Sequence, residues 1–142
     1  VGAHNTIESF VKYYASYETP STPNVIAIYL LGKIAEEMNA IGIENIRASI
    51  DKKAHLLYTL LEESTQVSAF VKEKIFQSPT VAVLNTKGIS APIIEELRNQ
   101  HLVVGSGYGA LKTTQIRIAN FPATSEEQML KLVSSLAEII HP

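Results

Sequence analysis

Apolar residues recur at three- and four-residue intervals over much of this chain. Val25, Ile28, Leu31, Ile34, Ala35 and Met38 follow helical spacing, with Gly42 as a natural stop. Thr22 and Pro23 stand just ahead of them, and read as an N-cap followed by proline at the first helical position. A second helix is predicted from about Glu44 to Glu63, with Ile46, Ile50, Leu57 and Leu61 on one stripe. The period then changes. Thr80 to Asn85 is β-rich, Thr86-Lys87-Gly88 is a turn, and Ser90 caps a short helix through about Gln100 with Pro92 in its first turn. Leu102 to Val104 reads as a short strand running into glycines, and Gln115 to Ala119 as the next strand. Thr124-Ser125-Glu126-Glu127 has the capping-box pattern, ahead of a last helix carrying Met129, Leu132, Val133, Leu136 and Ile140.

The carboxy-terminal half therefore reads strand, helix, strand, strand, helix. That order predicts an α+β fold, a two-layer α/β sandwich with helices on one face of a small, mostly antiparallel sheet, plus a long connecting helix. With 142 residues the chain is expected to be one domain, spanning 1–142. It begins Val1-Gly2-Ala3-His4, without Met or a signal pattern, and Asn5 to Tyr14 already reads as structured. We expect Val1 to be a cut point in a longer protein.

Charge removes several function classes. The formal net charge is -2 with Lys and Arg scattered, so no basic field invites nucleic acid or an anionic membrane. No apolar run reaches the length of a membrane span. There is no cysteine, which rules out disulfide and thiolate chemistry and fits a cytoplasmic protein. His4, His55, His101 and His141 lack ligand spacing, so no metal site is expected. Glu36-Glu37 and Glu95-Glu96 read as solvated helix faces, and no nucleophile motif is present, so no catalytic residue is assigned within this chain.

Two stretches carry candidate chemistry. Gly105-Ser106-Gly107-Tyr108-Gly109 is followed by Ile116-Arg117-Ile118-Ala119-Asn120-Phe121-Pro122. A dinucleotide-binding fingerprint would need a helix after the glycines, whereas Thr113, Thr114 and Ile116 lead into a strand. A P-loop is absent because Gly109 and Lys112 are not adjacent. If Ile116 and Ile118 face a core, Arg117 faces the other way, where its guanidinium is suited to a carboxylate or simply to water. The second stretch is Thr19-Pro20-Ser21-Thr22-Pro23-Asn24, stiffened by two prolines at a helix start. Its hydroxyls suit a phosphate, or serve only as a helix cap.

Both stretches resemble class V pyridoxal-phosphate aminotransferases of fold type I. Ser21-Thr22-Pro23-Asn24-Val25, with Ala27 and Gly32 after it, is similar to the family's Thr-Pro segment, and Gly107-Tyr108-Gly109 to Arg117 is similar to its small domain. The resemblance covers nearly the whole chain. It implies pyridoxal 5'-phosphate as cofactor, Arg117 as the clamp for the substrate α-carboxylate, and Thr22 reaching the cofactor phosphate of the neighbouring subunit. Ser21 or Thr19 would help. It further implies a homodimer with a shared active site, and amino-acid and 2-oxo-acid substrates. The Schiff-base lysine, the Asp for the pyridinium nitrogen and the stacking aromatic would lie in a large domain preceding Val1. This chain would then be the carboxy-terminal small domain, with 1–24 linking to it, and inactive alone.

The Ala27-Ile28-Tyr29-Leu30-Leu31-Gly32 texture leans toward the phosphoserine aminotransferase branch, which works on 3-phosphohydroxypyruvate and 2-oxoglutarate in serine biosynthesis. That branch commonly carries a His-Arg pair shortly before the carboxylate Arg. Here the region reads Ala110-Leu111-Lys112-Thr113-Thr114, which keeps serine–pyruvate or alanine–glyoxylate chemistry open. A non-enzymatic amino-acid-binding regulatory domain, also in want of an Arg, is the alternative of a different class.

Overall fold

The computed structural model describes residues 6–141. Two compact units divide the chain, Val1–Ile41 and Gly42–Pro142. The first holds α1 (Ile7–Ala15) and α2 (Val25–Ile41). Thr6 caps α1 by accepting from the Ser9 N–H at 3.2 Å. Asn24, not Thr22, caps α2, because its Oδ1 accepts from the Ala27 N–H at 3.0 Å and its carbonyl from Ile28 at 3.1 Å. Pro23 therefore stands before the helix rather than in its first turn. No residue of α2 is buried, although Val25, Ile26, Leu31 and Ile34 are all more than half exposed aliphatics.

The second unit carries α3 (Ile43–Glu63), β1 (Ser68–Ala69), β2 (Val81–Asn85), α4 (Ser90–Asn99), β3 (Gly105–Ser106), β4 (Gln115–Ala119) and α5 (Glu126–Ile140). Its four strands form one antiparallel sheet in the order β1-β2-β4-β3. The expected two-layer α+β architecture is present. β2 and β4 pair over their full length, from Val81 opposite Ala119 to Asn85 opposite Gln115. Their inward residues, Ala82, Leu84, Ile116 and Ile118, meet Leu57 and Leu61 of α3, Ile93 and Leu97 of α4, and Met129 and Leu136 of α5. Each fully buried aliphatic side chain of this kind contributes about 1.5–3 kcal/mol, so this face holds the unit together.

Four local features differ from the sequence reading. β1 is a two-residue edge strand without an alternation of its own to announce it. Leu102 to Val104 is not a strand, since the Leu102 N–H still bonds to the Leu97 carbonyl at 2.8 Å and Val103 is 86% exposed. The ladder begins instead at Gly105, opposite Arg117. Ser90 does not cap α4; it is fully buried and its hydroxyl donates to the Lys112 carbonyl at 2.9 Å. The capping box of α5 is built one residue later than expected, by Ser125 and Gln128.

Two polar side chains tie the β4–α5 connection to α3. Asn120 is buried and its Nδ2 donates to the Ile50 carbonyl at 2.9 Å and the Pro79 carbonyl at 2.8 Å. Lys53 is buried at the centre of the α3 stripe, with Nζ donating to the carbonyls of Thr124 at 2.6 Å and Phe121 at 3.3 Å. Burial holds its ammonium below the ordinary value of 10.5, while Glu126 pulls the other way.

Candidate functional site

The alternation in β4 does what it promised. Ile116 and Ile118 are 0% and 1% exposed, and Arg117 between them points to the opposite face of the sheet, half-buried. Three features fix its guanidinium. Nε donates to the Ser106 carbonyl at 2.7 Å across the β3–β4 ladder. Nη1 donates to the Tyr108 hydroxyl at 2.7 Å. The Tyr108 ring lies against the guanidinium, with Cζ 3.9 Å from the ring centroid. These contacts leave one N–H on Nη1 and both on Nη2, and among the described residues no carboxylate pairs with Arg117. The open end of the fork is the arrangement that accepts a carboxylate end-on.

The glycines make room for this. Gly105 pairs directly with Arg117, and a Cβ there would stand 3.0 Å from Nη2 and 3.4 Å from Cζ. Gly107 is buried, and a Cβ there would meet the Leu111 carbonyl oxygen at 2.4 Å. Gly109 has φ +53, which starts a tight turn over Gly109–Leu111 before the chain returns into β4. The cluster is thus neither a phosphate cradle nor a loose hairpin tip: it is the wall and rim of the Arg117 site.

Ser21 and Thr22 belong to the other unit. Both are exposed, and among the described residues neither hydroxyl has a hydrogen-bond partner. The Thr19 hydroxyl is occupied, donating to the Ser21 carbonyl at 2.8 Å. A cleft of about 540 Å³ is lined by Phe10, Val11, Tyr14, Glu18, Pro20 and Ser21 among others. The Glu18 carboxylate and the apolar walls make the cleft a poor phosphate site. Arg117 is gathered with Gly105, Ser106 and Tyr108 in the second unit; Ser21 and Thr22 stand in the first.

Tyr108, Lys53 and Asn120 escaped the sequence reading. Lys53 had a signal, a lysine on the stripe that runs Ile46, Ile50, Leu57. Tyr108 had only its place between two glycines, and its contact with Arg117 depends on the β3–β4 register.

The second unit is thus a small α+β domain with a half-buried Arg opposite a glycine, on the outer face of its antiparallel sheet. This chain belongs to the class V aminotransferase family, whose model, aminotransferase class-V, matches residues 5–120. Among solved structures it is similar to a phosphoserine aminotransferase from Cytophaga hutchinsonii, 42% identical over 98% of this chain and 38% of that one, TM-score 0.86. An aspartate aminotransferase of subgroup IV from Thermus thermophilus shares the fold at 22% identity, covering 99% of this chain and 40% of that one, TM-score 0.78. So does an alanine–glyoxylate aminotransferase from Nostoc sp., 22% identical over 95% and 37% of the two chains, TM-score 0.73. No match is found among curated proteins. The chain thus spans well under half the length of these structures. Pyridoxal phosphate is the cofactor of the family. No helix among the described residues is long and apolar enough to cross a membrane.

Proposed function

We propose that this chain is the carboxy-terminal small domain of a longer pyridoxal-phosphate aminotransferase, with 1–24 linking from a large domain that carries the Schiff-base lysine. The whole enzyme is a cytoplasmic homodimer with a shared active site, and the chain alone is inactive. Its reaction is the exchange between glutamate and 3-phosphohydroxypyruvate in serine biosynthesis. The observation that carries this is the Arg117 guanidinium, fixed at two nitrogens and one face and open at its Nη2 end. The 42% identity to a phosphoserine aminotransferase supports the choice of substrate.

When bound, the cofactor serves as the electron sink for the substrate Cα. The residues of this chain supply position. Arg117 would hold the α-carboxylate and so fix the orientation of the substrate Cα. Its fork does this better than an ammonium, because two parallel hydrogen bonds fix a plane and one does not. Thr22, helped by Ser21, donates a hydroxyl hydrogen bond to the cofactor phosphate of the neighbouring subunit. Lys112, exposed in the β3–β4 connection, is the one cation in the segment where the phosphoserine branch commonly has a His-Arg pair. That departure favours a second reading, serine–pyruvate or alanine–glyoxylate transamination.

The full-length protein separates these readings. With glutamate as donor, 3-phosphohydroxypyruvate should give the highest kcat/KM, well above glyoxylate and pyruvate; the reverse order selects the second reading. Amino-acid binding without any transamination would select a regulatory domain. Arg117→Lys should lower kcat/KM roughly ten- to a hundredfold for glutamate and for 2-oxoglutarate alike, since both present the same carboxylate. Wild-type values for both would place the clamp elsewhere.

A further inference from the structure

Tyr108 is 72% exposed, yet its hydroxyl does not simply face water: it accepts from Nη1 of Arg117 at 2.7 Å. Stacking alone does not require that oxygen, because a phenylalanine ring would cover the guanidinium equally well. The hydroxyl spends a lone pair on the cation and, among the described residues, has no acceptor for its own proton. An O–H whose oxygen accepts from a guanidinium is polarised and becomes a better donor. It also lies at Nη1, beside the open end of the fork. The backbone on either side is specific: Gly107 admits no Cβ, and Gly109 takes φ +53, which L side chains rarely adopt.

We propose that Tyr108 is a second ligand for the substrate carboxylate. The two carboxylate oxygens would lie at the free N–H groups of Nη1 and Nη2, one on each, and the Tyr108 O–H would donate as well to the oxygen at Nη1. The pair offers one positive charge to one negative charge, and the phenol adds a hydrogen bond without adding charge. The inference rests on the Arg117 reading above and extends it to the residue beside it.

The test uses the full-length enzyme and Tyr108→Phe, which keeps the ring and removes the O–H. Read-outs are KM and kcat for glutamate and 2-oxoglutarate, the Kd of glutarate as a non-reacting dicarboxylate, and the melting temperature. We expect KM and the glutarate Kd to rise about tenfold, with kcat changed less and melting unchanged. In the Arg117→Lys background the same substitution should have a smaller effect, because both residues hold one group. If Tyr108→Phe leaves KM and the glutarate Kd at wild-type values while Arg117→Lys raises both, Tyr108 is no ligand and the clamp stands without it. If neither substitution moves them, the clamp itself is misassigned and this proposal falls with it. A loss confined to kcat would likewise overturn it.

Discussion

Alanine at Gly105 is the perturbation that separates the site from the fold most cleanly. Gly105 pairs with Arg117 across β3–β4, and its φ is not in the left-handed region, so alanine suits the backbone. Removing a glycine lowers the entropy of the unfolded chain, which stabilises by about 0.4–1 kcal/mol when the native conformation is compatible. The new methyl, however, would stand 3.0 Å from Nη2, 3.4 Å from Cζ and 3.5 Å from Nε of Arg117. The guanidinium must therefore retreat by a few tenths of an ångström. That movement lengthens both 2.7 Å bonds, to the Ser106 carbonyl and the Tyr108 hydroxyl, without breaking either. The loss at the carboxylate should be near the low end for a charge-assisted bond, about 1.5 kcal/mol, or roughly tenfold in kcat/KM. The assay is steady-state transamination by the full-length enzyme with each substrate in turn, beside a thermal melt. Expected is weaker carboxylate binding at an unchanged or slightly higher melting temperature. Wild-type KM for both substrates would refute the packing argument. A melting loss in proportion to the activity loss would mean general damage instead.

Three other outcomes are expected. Gly107→Ala should behave oppositely to Gly105→Ala: its Cβ meets backbone, at 2.4 Å from the Leu111 oxygen and 2.8 Å from its carbonyl carbon, so stability should fall by about 1–3 kcal/mol in chemical denaturation. Thr22→Val in the full-length dimer should weaken cofactor retention roughly tenfold or more, measured by equilibrium dialysis; unchanged retention would leave Thr22 without a ligand role. Lys53 should give a pH signature. Its folded pKa lies below 10.5, so the unfolded state binds the proton more readily just under that value. Stability should then rise with pH through the window below 10.5 and level off above it. Tyr58, whose pKa burial raises above 10.0, makes stability fall with rising pH in a neighbouring range. The informative quantity is therefore the wild type minus Lys53→Met difference, in which the Tyr58 contribution cancels and the rise with pH should remain; a flat difference would mean that folding does not lower the Lys53 pKa.

Where the sequence was legible, the cause was periodicity. The α3 stripe at Ile46, Ile50, Leu57 and Leu61 and the alternation around Arg117 follow from which faces must leave water, and both are found as read. Caps were read less well. Thr22, Asn24, Ser90, Thr124 and Ser125 can all accept from a helix N–H, and local spacing does not say which one will. The choice at Ser90 was made at long range, by the Lys112 carbonyl. β3 was misplaced because a glycine-serine pair has no β propensity; its place is set by Arg117 across the ladder and by the space the guanidinium needs. Tyr108 was invisible for the same reason, since its partner lies nine residues away across the turn.

β4 has one more consequence. Its five residues put core and chemistry on alternate positions, Ile116 and Ile118 inward and Arg117 outward. Sliding the strand by a single residue would drive the guanidinium in among Leu57, Leu84 and Met129 and expel both isoleucines. An unpaired cation buried there would cost several kcal/mol. The strand therefore proofreads itself. A chain that has folded to full stability has, by the same register, already set Arg117 on the outer face, and no stable population with a sound core and a misplaced arginine should accumulate.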